Sequence, residues 1–323
     1  MDLDGVRQGN GSKEAGTKRD RPDLSIVIVT HESEEYLPRC VRSVYRATQG
    51  ISFEIIMVDN ASEDKLAELA RAEFPEVKII ENKRNEGFAH GVNQGVSIAS
   101  GRVLTILNPD TQLNPDTLKV LLDFLEKHPS DCVVGARTVD EMGRSVPSCR
   151  SLPHIGNILK YPISFLLRGR RLKNPNRFLL DLWDQNKTVD LMEYNGYVTG
   201  ACLVTRLDFF RKMGGFDERY FLYCEDADFC SHMRRSGHHA FLISEASVIH
   251  WGGRSASRNP LTRLYFVEAY LHYIHKNLTF VHGLAYQAGL VVLVVVWTLK
   301  AWVRRDRTEA KILLQSLRCF NPA

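Results

Sequence analysis

The chain has 323 residues, 44% of them apolar and 25% charged, the proportions of an ordinary globular protein. They exclude a disordered chain, a collagen-like chain and a polytopic membrane protein. Lysine plus arginine exceeds aspartate plus glutamate by 42 − 38 = 4, a surplus too small to predict a nucleic-acid partner, and none is expected. A chain of this length buries a full core without staples. None of its cysteines forms a C-x-x-C pair, and several lie in apolar runs, as Cys132 does in DCVVGA. They read as buried, reduced thiols.

Residues 1–22 are polar, with Gly5, Gly9, Gly11 and Gly16 among scattered charges and no apolar run behind them. They read as a flexible tail rather than a secretory leader. Leu24 to Thr30 is a β-branched run and a predicted strand. A helix follows from Glu34 to about Ala47, then a second strand over Phe53 to Asp59. Glu63 to Phe74 has helical spacing and is stopped by Pro75. Val77 to Glu81 is a third strand, His90 to Ser100 a helix, and Val103 to Leu107 a fourth strand. Asn114-Pro115 reads as an N-cap with proline in the first turn of a helix to about His128. Cys132 to Ala136 is a fifth strand. Beyond an irregular stretch with the basic cluster Arg168, Arg170, Arg171 and Lys173, strands are expected at Val198 to Thr205 and Ala240 to Ile243, with an acid-rich helix start at Glu225 between them. Strands alternating with helices predict an α/β fold with a mainly parallel, Rossmann-like sheet covered on both faces.

In such sheets ligands bind beyond the carboxyl ends of the strands. Three of those ends carry polar residues: Thr30-His31-Glu32, Asp59-Asn60 and Asn108-Pro109-Asp110. Parallel strands would bring the three to one edge. Between them, NEGFAHGVNQG (Asn85 to Gly95) places glycines before and within a helix start, where free N–H groups suit an anion such as a diphosphate. Further on, Glu225, Asp226 and Asp228 crowd three acids into four residues. A helix dipole favours carboxylates in a first turn, but their mutual repulsion points to a site that needs a proton acceptor or a metal. His250 ends an apolar run.

The ordered set SIVIVTHESEEYLPRCVRSV, IIMVDNASED, NEGFAHGVNQG, LTILNPDT, TGACLVTR, GGFDERYFLYCEDADFC and VIHWGG resembles the family 2 glycosyltransferases, which have the GT-A fold. The combination of NPD with FDERYF and EDADF is similar to the bacterial rhamnosyltransferase-like branch. The resemblance runs from about Leu24 to about Gly253. It implies that Thr30, Glu32 and Asp59 hold the nucleoside and that Asn85, Gly87 and Asn93 help to seat the nucleotide and diphosphate. The metal motif is Asn108-Pro109-Asp110; with Asn first, Asp110 is the expected carboxylate ligand and Asn108 a nucleotide-sugar contact. His250 matches a late second metal ligand. Glu225-Asp226 matches the acidic pair that supplies the catalytic base, with Asp226 the chosen base. The implied activity is inverting, Mg2+- or Mn2+-dependent sugar transfer from a nucleotide-sugar donor, dTDP-L-rhamnose first, to a glycan or polyprenyl-diphosphate-linked acceptor in cell-wall or surface polysaccharide synthesis. A UDP-sugar transferase of the same fold (galactofuranosyl or N-acetylhexosaminyl) and a non-catalytic membrane scaffold are the alternatives.

Gly283 to Leu299 carries no charge and is at the lower edge of a spanning helix. Lys300, Arg304, Arg305 and Arg307 follow it. A cytoplasmic donor and a cytoplasmic basic tail cannot both be satisfied by one span. A monotopic or re-entrant helix on the cytoplasmic face of the cell membrane satisfies both. The domain expectation is therefore a tail (1–22), a GT-A domain (23–255) and a membrane-associated helical region (256–323). Oligomeric state stays open.

Overall fold

The computed structural model describes residues 21–63, 65–146, 148–152, 189–190, 196–251 and 261–320. Residues 1–20 of the expected tail, the basic cluster Arg168 to Lys173, and Gly252-Gly253 lie outside these described residues.

The chain begins with β1 (Leu24–Thr30), α1 (Leu37–Ala47), β2 (Phe53–Asp59), α2 (Leu66–Glu73), β3 (Lys78–Glu81), α3 (Phe88–Ile98) and β4 (Val103–Leu107). Then come β5 (Thr111–Leu113), α4 (Thr117–Lys127), β6 (Cys132–Val139), β7 (Cys149–Ser151), β8 (Val189–Asp190), β9 (Gly196–Val198) and β10 (Cys202–Arg206). They are followed by α5 (Leu207–Lys212), α6 (Glu225–Arg235), β11 (His239–His250), α7 (Thr262–Asn277), α8 (Phe280–Val303) and α9 (Arg307–Ser316), with a 3-10 turn over Leu317–Phe320.

The main sheet runs β3-β2-β1-β4-β10-β6-β11-β5, with β8 also on β11; β7 and β9 form a separate pair. The first four strands are parallel, as expected for β-α-β units. β10 runs antiparallel between β4 and β6. Successive β1 side chains alternate between two cores. Leu24, Ile26 and Ile28 pack with α1, α2 and α4, whereas Val27 and Val29 pack with α3, α5 and α6. Helices thus cover both faces of a GT-A sheet.

Three details differ from the sequence reading. Asn114 does not cap α4, which begins at Thr117; its amide donates to Ser247 Oγ at 2.7 Å, so a tertiary partner takes the capping group. Val198 to Thr205 is two strands separated by Thr199-Gly200-Ala201. The short strand at Ala240 is the twelve-residue β11, with a register shift between Ile243 and Ser247. Beyond that irregularity Val248 and Ile249 pair with β6 on one side and antiparallel with β5 on the other, and His250 stands opposite Thr111.

The last three helices pack on one another, and α7 packs on the main core as well. Ala269 and Tyr273 of α7 belong to the core shared with α3 and α6. Among the described residues, α8 alone is long and apolar enough to cross a membrane by length and composition.

Candidate active site

The register of β1 on β2 aligns Thr30 with Asp59, so both strand tips reach the same edge. Thr30 Oγ1 donates to Asp59 Oδ1 at 3.4 Å, and Ser62 donates to the same oxygen through its hydroxyl (2.5 Å) and its N–H (3.2 Å). Asp59 is 5% exposed, yet held by short polar side chains that fix its rotamer. Glu32 lies alongside in the left-handed region (φ 52°), and its carboxylate accepts the N–H of Glu63 at 2.8 Å. Thr30, Glu32 and Asp59 therefore form one cluster at one strand edge.

Asn85, Gly87 and Asn93 act on the protein's own loops. Asn85 Oδ1 accepts the Gly87 N–H at 3.0 Å and closes the turn before α3. Gly87 has φ 91°, and a Cβ there would stand 2.6 Å from the Phe221 carbonyl oxygen, so glycine is required by close approach as well as by conformation. The Phe88 N–H then donates to that carbonyl at 2.7 Å. Asn93 faces the 216–218 loop: its amide donates to the Phe216 carbonyl (2.8 Å) and Glu218 (2.9 Å) and accepts the Phe216 N–H (3.0 Å). The glycine-rich segment is thus tied to the chain that leads into α6.

Beyond β4 the Asn108 N–H donates to the Ala201 carbonyl at 3.1 Å, and the Asn108 carbonyl accepts from Thr111 Oγ1 at 2.6 Å. These bonds fold the Asn108-Pro109-Asp110 turn back so that Asp110 is only 5% exposed. Because His250 pairs with Thr111, its Nε2 reaches Asp110 Oδ1 at 3.1 Å. The Trp251 N–H donates to the Asp110 carbonyl at 3.1 Å and holds the end of β11 in place. Asp110 and His250, 140 residues apart in sequence, thus form a pair of a buried carboxylate and a half-buried imidazole. Among the described residues no group of three or more His, Cys, Asp or Glu could hold a metal ion. One carboxylate and one imidazole nevertheless fit Mg2+ or Mn2+ of the kind that takes its other ligands from substrate phosphates and water.

The acidic pair sits just across the Thr199-Gly200-Ala201 turn. Gly200 donates its N–H to Asp226 Oδ2 at 3.0 Å, and the Ala227 N–H donates to Oδ1 at 2.7 Å. Asn108, two residues before Asp110, and Asp226 are therefore linked through the same short turn, one to Ala201 and the other to Gly200. Tyr223 and Cys224 before α6 both have positive φ (75° and 67°), a costly conformation for residues with a Cβ. It turns the chain so that Glu225 and Asp226 enter the buried first turn. Burial pushes the Asp226 carboxyl up, opposed by the Gly200 and Ala227 N–H groups and by the Arg150 charge. Burial pushes Glu225 up as well, reinforced by the neighbouring Asp226 charge, and its Oε2 is buried without a hydrogen-bond partner among the described residues. A carboxylate raised by desolvation is a stronger proton acceptor than a solvated one.

Asp228 has a different setting. Its oxygens accept from Lys276 Nζ (2.7 Å), Asn277 Nδ2 (2.8 Å) and the Tyr220 hydroxyl (3.2 Å). Lys276 donates to Asp217 as well, at 2.7 Å. The third acid thus ties α6 to α7.

Residues 25–214 match the profile of glycosyl transferase family 2. The chain belongs to this family. It is a glycosyltransferase of the hexosyl-transferring kind. The family 2 chain is 26% identical to the N-acetylglucosaminyl-diphospho-decaprenol L-rhamnosyltransferase of Mycobacterium tuberculosis over 256 residues, 75% of this chain and 80% of that one. Two solved structures share its fold. The mannosyltransferase of Pyrobaculum calidifontis in complex with GDP-Man and Mn2+ superposes with a TM-score of 0.55 at 14% identity, covering 93% of this chain and 86% of that one. GalNAc-T7 with UDP, GalNAc and Mn2+ gives 0.53 at 18% identity, covering 78% of this chain and 49% of that one. The family 2 chain thus spans about half the length of GalNAc-T7.

The sequence reading did not single out Gly200, Tyr223, Arg150 or Lys276. Gly200 had a signal, the glycine of TGACLVTR just before a strand. The others had none, because their importance arises from what folds against them.

Proposed function

We propose that this family 2 glycosyltransferase moves a sugar, L-rhamnose from dTDP-L-rhamnose as first candidate, with inversion onto a polyprenyl-diphosphate-linked acceptor at a membrane surface. The M. tuberculosis rhamnosyltransferase, whose name pairs L-rhamnose with a diphospho-decaprenol-linked acceptor, supports the substrate class. The observation that carries the chemistry is the buried Asp226, raised by desolvation and oriented by Gly200, in the same short turn that holds Asn108 of the Asn108-Pro109-Asp110 segment.

In this reading Thr30, Glu32 and Asp59 receive the nucleoside at the strand edge. Asp110 and His250 hold a divalent ion, with Asn108 beside them. When bound, that ion supplies charge compensation for a diphosphate. Asp226 accepts the proton of the acceptor hydroxyl as its oxygen attacks the anomeric carbon. The anomeric C–O bond to the diphosphate breaks, and the nucleoside diphosphate leaves with that electron pair. One displacement on the face opposite the leaving group inverts the carbon, and no covalent enzyme intermediate forms. Gly200 fixes the carboxylate so that the oxygen facing the acceptor is preset. Glu225, buried next to Asp226, keeps the pair's proton affinity high.

The test is binding of dTDP, UDP, GDP and CMP with and without Mn2+, together with transfer by Asp226→Asn. The expected result is a Mn2+-dependent preference for dTDP, and a variant that binds it like the parent but transfers at least about a hundredfold more slowly. A preference for UDP would move the donor to a UDP-sugar. A variant that turns over normally would remove Asp226 as the base.

A further inference from the structure

Helix α8 shows two opposite stripes. Gly283, Tyr286, Leu290, Val294 and Ala301 are buried against the protein. Val281, Leu284, Ala288, Val292, Val295, Leu299 and Trp302 are exposed, at spacings of three and four that align them on one helix face. At about 1.5 Å per residue this outward apolar line is ~31 Å long. Such a continuous exposed stripe marks a surface that meets something apolar.

The packing decides how a bilayer could be met. α8 runs antiparallel along α7: Gly283 lies against Ile274, Gln287 bonds His275, Leu290 and Val294 pack with Val267 and Leu271, and Trp297 meets Phe266 edge-on with a ring separation of 5.9 Å. The two helices are side by side over about 14 residues of α8, or ~21 Å. α7 in turn lies on the catalytic core over the same length. Tyr265 meets Phe221 at 4.5 Å near its start, Tyr273 is buried in the core, and Lys276 bonds Asp217 and Asp228 at its end. If α8 crossed a bilayer, α7 would be carried to hydrocarbon depth with Glu268, His272 and Lys276, and the catalytic core with it. That arrangement is excluded by the cost of burying those groups in lipid.

The charge beside the stripe identifies the partner. α9 folds back on α8 through Ala301, Ala310 and Leu313. Its exposed face carries Arg307, Lys311 and Leu314, with Arg318 following in the 3-10 turn, and Arg304 and Arg305 are exposed at the α8–α9 bend. The acids of this region have partners of their own: the exposed Asp306 caps α9 by accepting the Glu309 N–H at 2.9 Å, and the half-buried Glu309 pairs with Arg263. An apolar line flanked by outward basic side chains, with Trp302 at one end, suits an anionic lipid surface.

We infer that α8 does not span the membrane but lies in the plane of an anionic lipid surface, inserted by its Val281-to-Trp302 stripe and flanked by the basic face of α9. This deepens the reading of a membrane-bound acceptor and rests on it for its purpose, although the lipid contact itself is measurable without any acceptor.

The test uses the full chain with large vesicles of neutral phosphatidylcholine, or of phosphatidylcholine with about a third phosphatidylglycerol. Sedimentation should show at least tenfold tighter binding to the anionic vesicles, weakened by salt, and lost in Val292→Glu/Val295→Glu. Arg307→Glu/Lys311→Glu should remove the anionic preference without adding charge to the stripe. Val292→Trp should be quenched more by lipids brominated near the headgroup than by those brominated near the bilayer centre. Strongest quenching at the bilayer centre would overturn the in-plane geometry. Failure to bind vesicles, or a stable dimer in lipid-free solution that the Val292→Glu/Val295→Glu variant dissolves, would assign the stripe to a second copy instead. Vesicle binding without sugar transfer would count against the acceptor reading and leave this surface standing; transfer to a detergent-dispersed acceptor without vesicle binding would do the reverse.

Discussion

Lys276→Met tests whether α7 positions α6, which carries the proposed base. Lys276 bridges Asp217 and Asp228 at 2.7 Å each, and their side chains are 14% and 5% exposed against 30% for the lysine. Removing one partner of a fully buried pair costs about 3–5 kcal/mol, whereas an exposed pair is worth about 0–1. Asp228 keeps Tyr220 and Asn277, and Asp217 keeps Arg219. An intermediate cost of about 2 kcal/mol follows, which lowers Tm by roughly 4 °C in a protein of this size. The sign with pH is set by both partners. Arg219, with Lys276 behind it, holds the Asp217 carboxyl below its ordinary 3.8, and the two aspartates outweigh burial to hold the Lys276 amine above its ordinary 10.5. The difference between parent and variant should be complete between those two values. It should shrink as pH falls through the folded-state value of Asp217, and again as pH rises past that of Lys276. Because Asp228 lies two residues from Asp226 on α6, kcat should fall about tenfold or more with little change in KM, and Lys276→Arg should restore most of it. Thermal unfolding and steady-state transfer read the two effects separately. An unchanged Tm would mean that the bridge is solvated and contributes nothing. A lowered Tm with kcat intact would mean that α7 stabilises without positioning.

Two further substitutions probe the site's frame. Gly87→Ala places a Cβ at φ 91° against the Phe221 carbonyl and should cost about 1–3 kcal/mol, seen as a lower Tm and weaker nucleotide binding; an unaltered Tm would contradict the close approach. Glu225→Gln should stabilise the protein at pH 7 but not at pH 3. Burial and the Asp226 charge raise Glu225 above its ordinary 4.5, so folding is opposed once pH climbs through the unfolded value. Equal Tm values for parent and variant at both pH values would show that its carboxyl is unperturbed.

Much of this architecture is local and therefore readable in the chain. Runs such as Leu24 to Thr30 and Phe53 to Asp59 are β-branched and bounded by polar tips, and each forms the expected strand because a fully buried parallel strand needs little but apolar side chains on both faces. Parallel pairing then carries Thr30 and Asp59 to one edge by register alone. The glycine at 87 was legible as a special position, although not its partner Phe221. Tertiary structure decided the rest. Asn93 carries no mark that separates a ligand contact from a bond to the 216–218 loop, since an amide serves either equally well. Asp110 and His250 meet because the end of β11 pairs with β5 and sets His250 opposite Thr111, and long-range register leaves no trace in local composition. Asp228 looks like its neighbours Glu225 and Asp226 in sequence, yet it serves a different end because a lysine 48 residues away folds onto it. The length and hydropathy of α8 permit a span, whereas its packing along α7 does not: composition sets what a helix tolerates, and only its neighbours decide where it can lie.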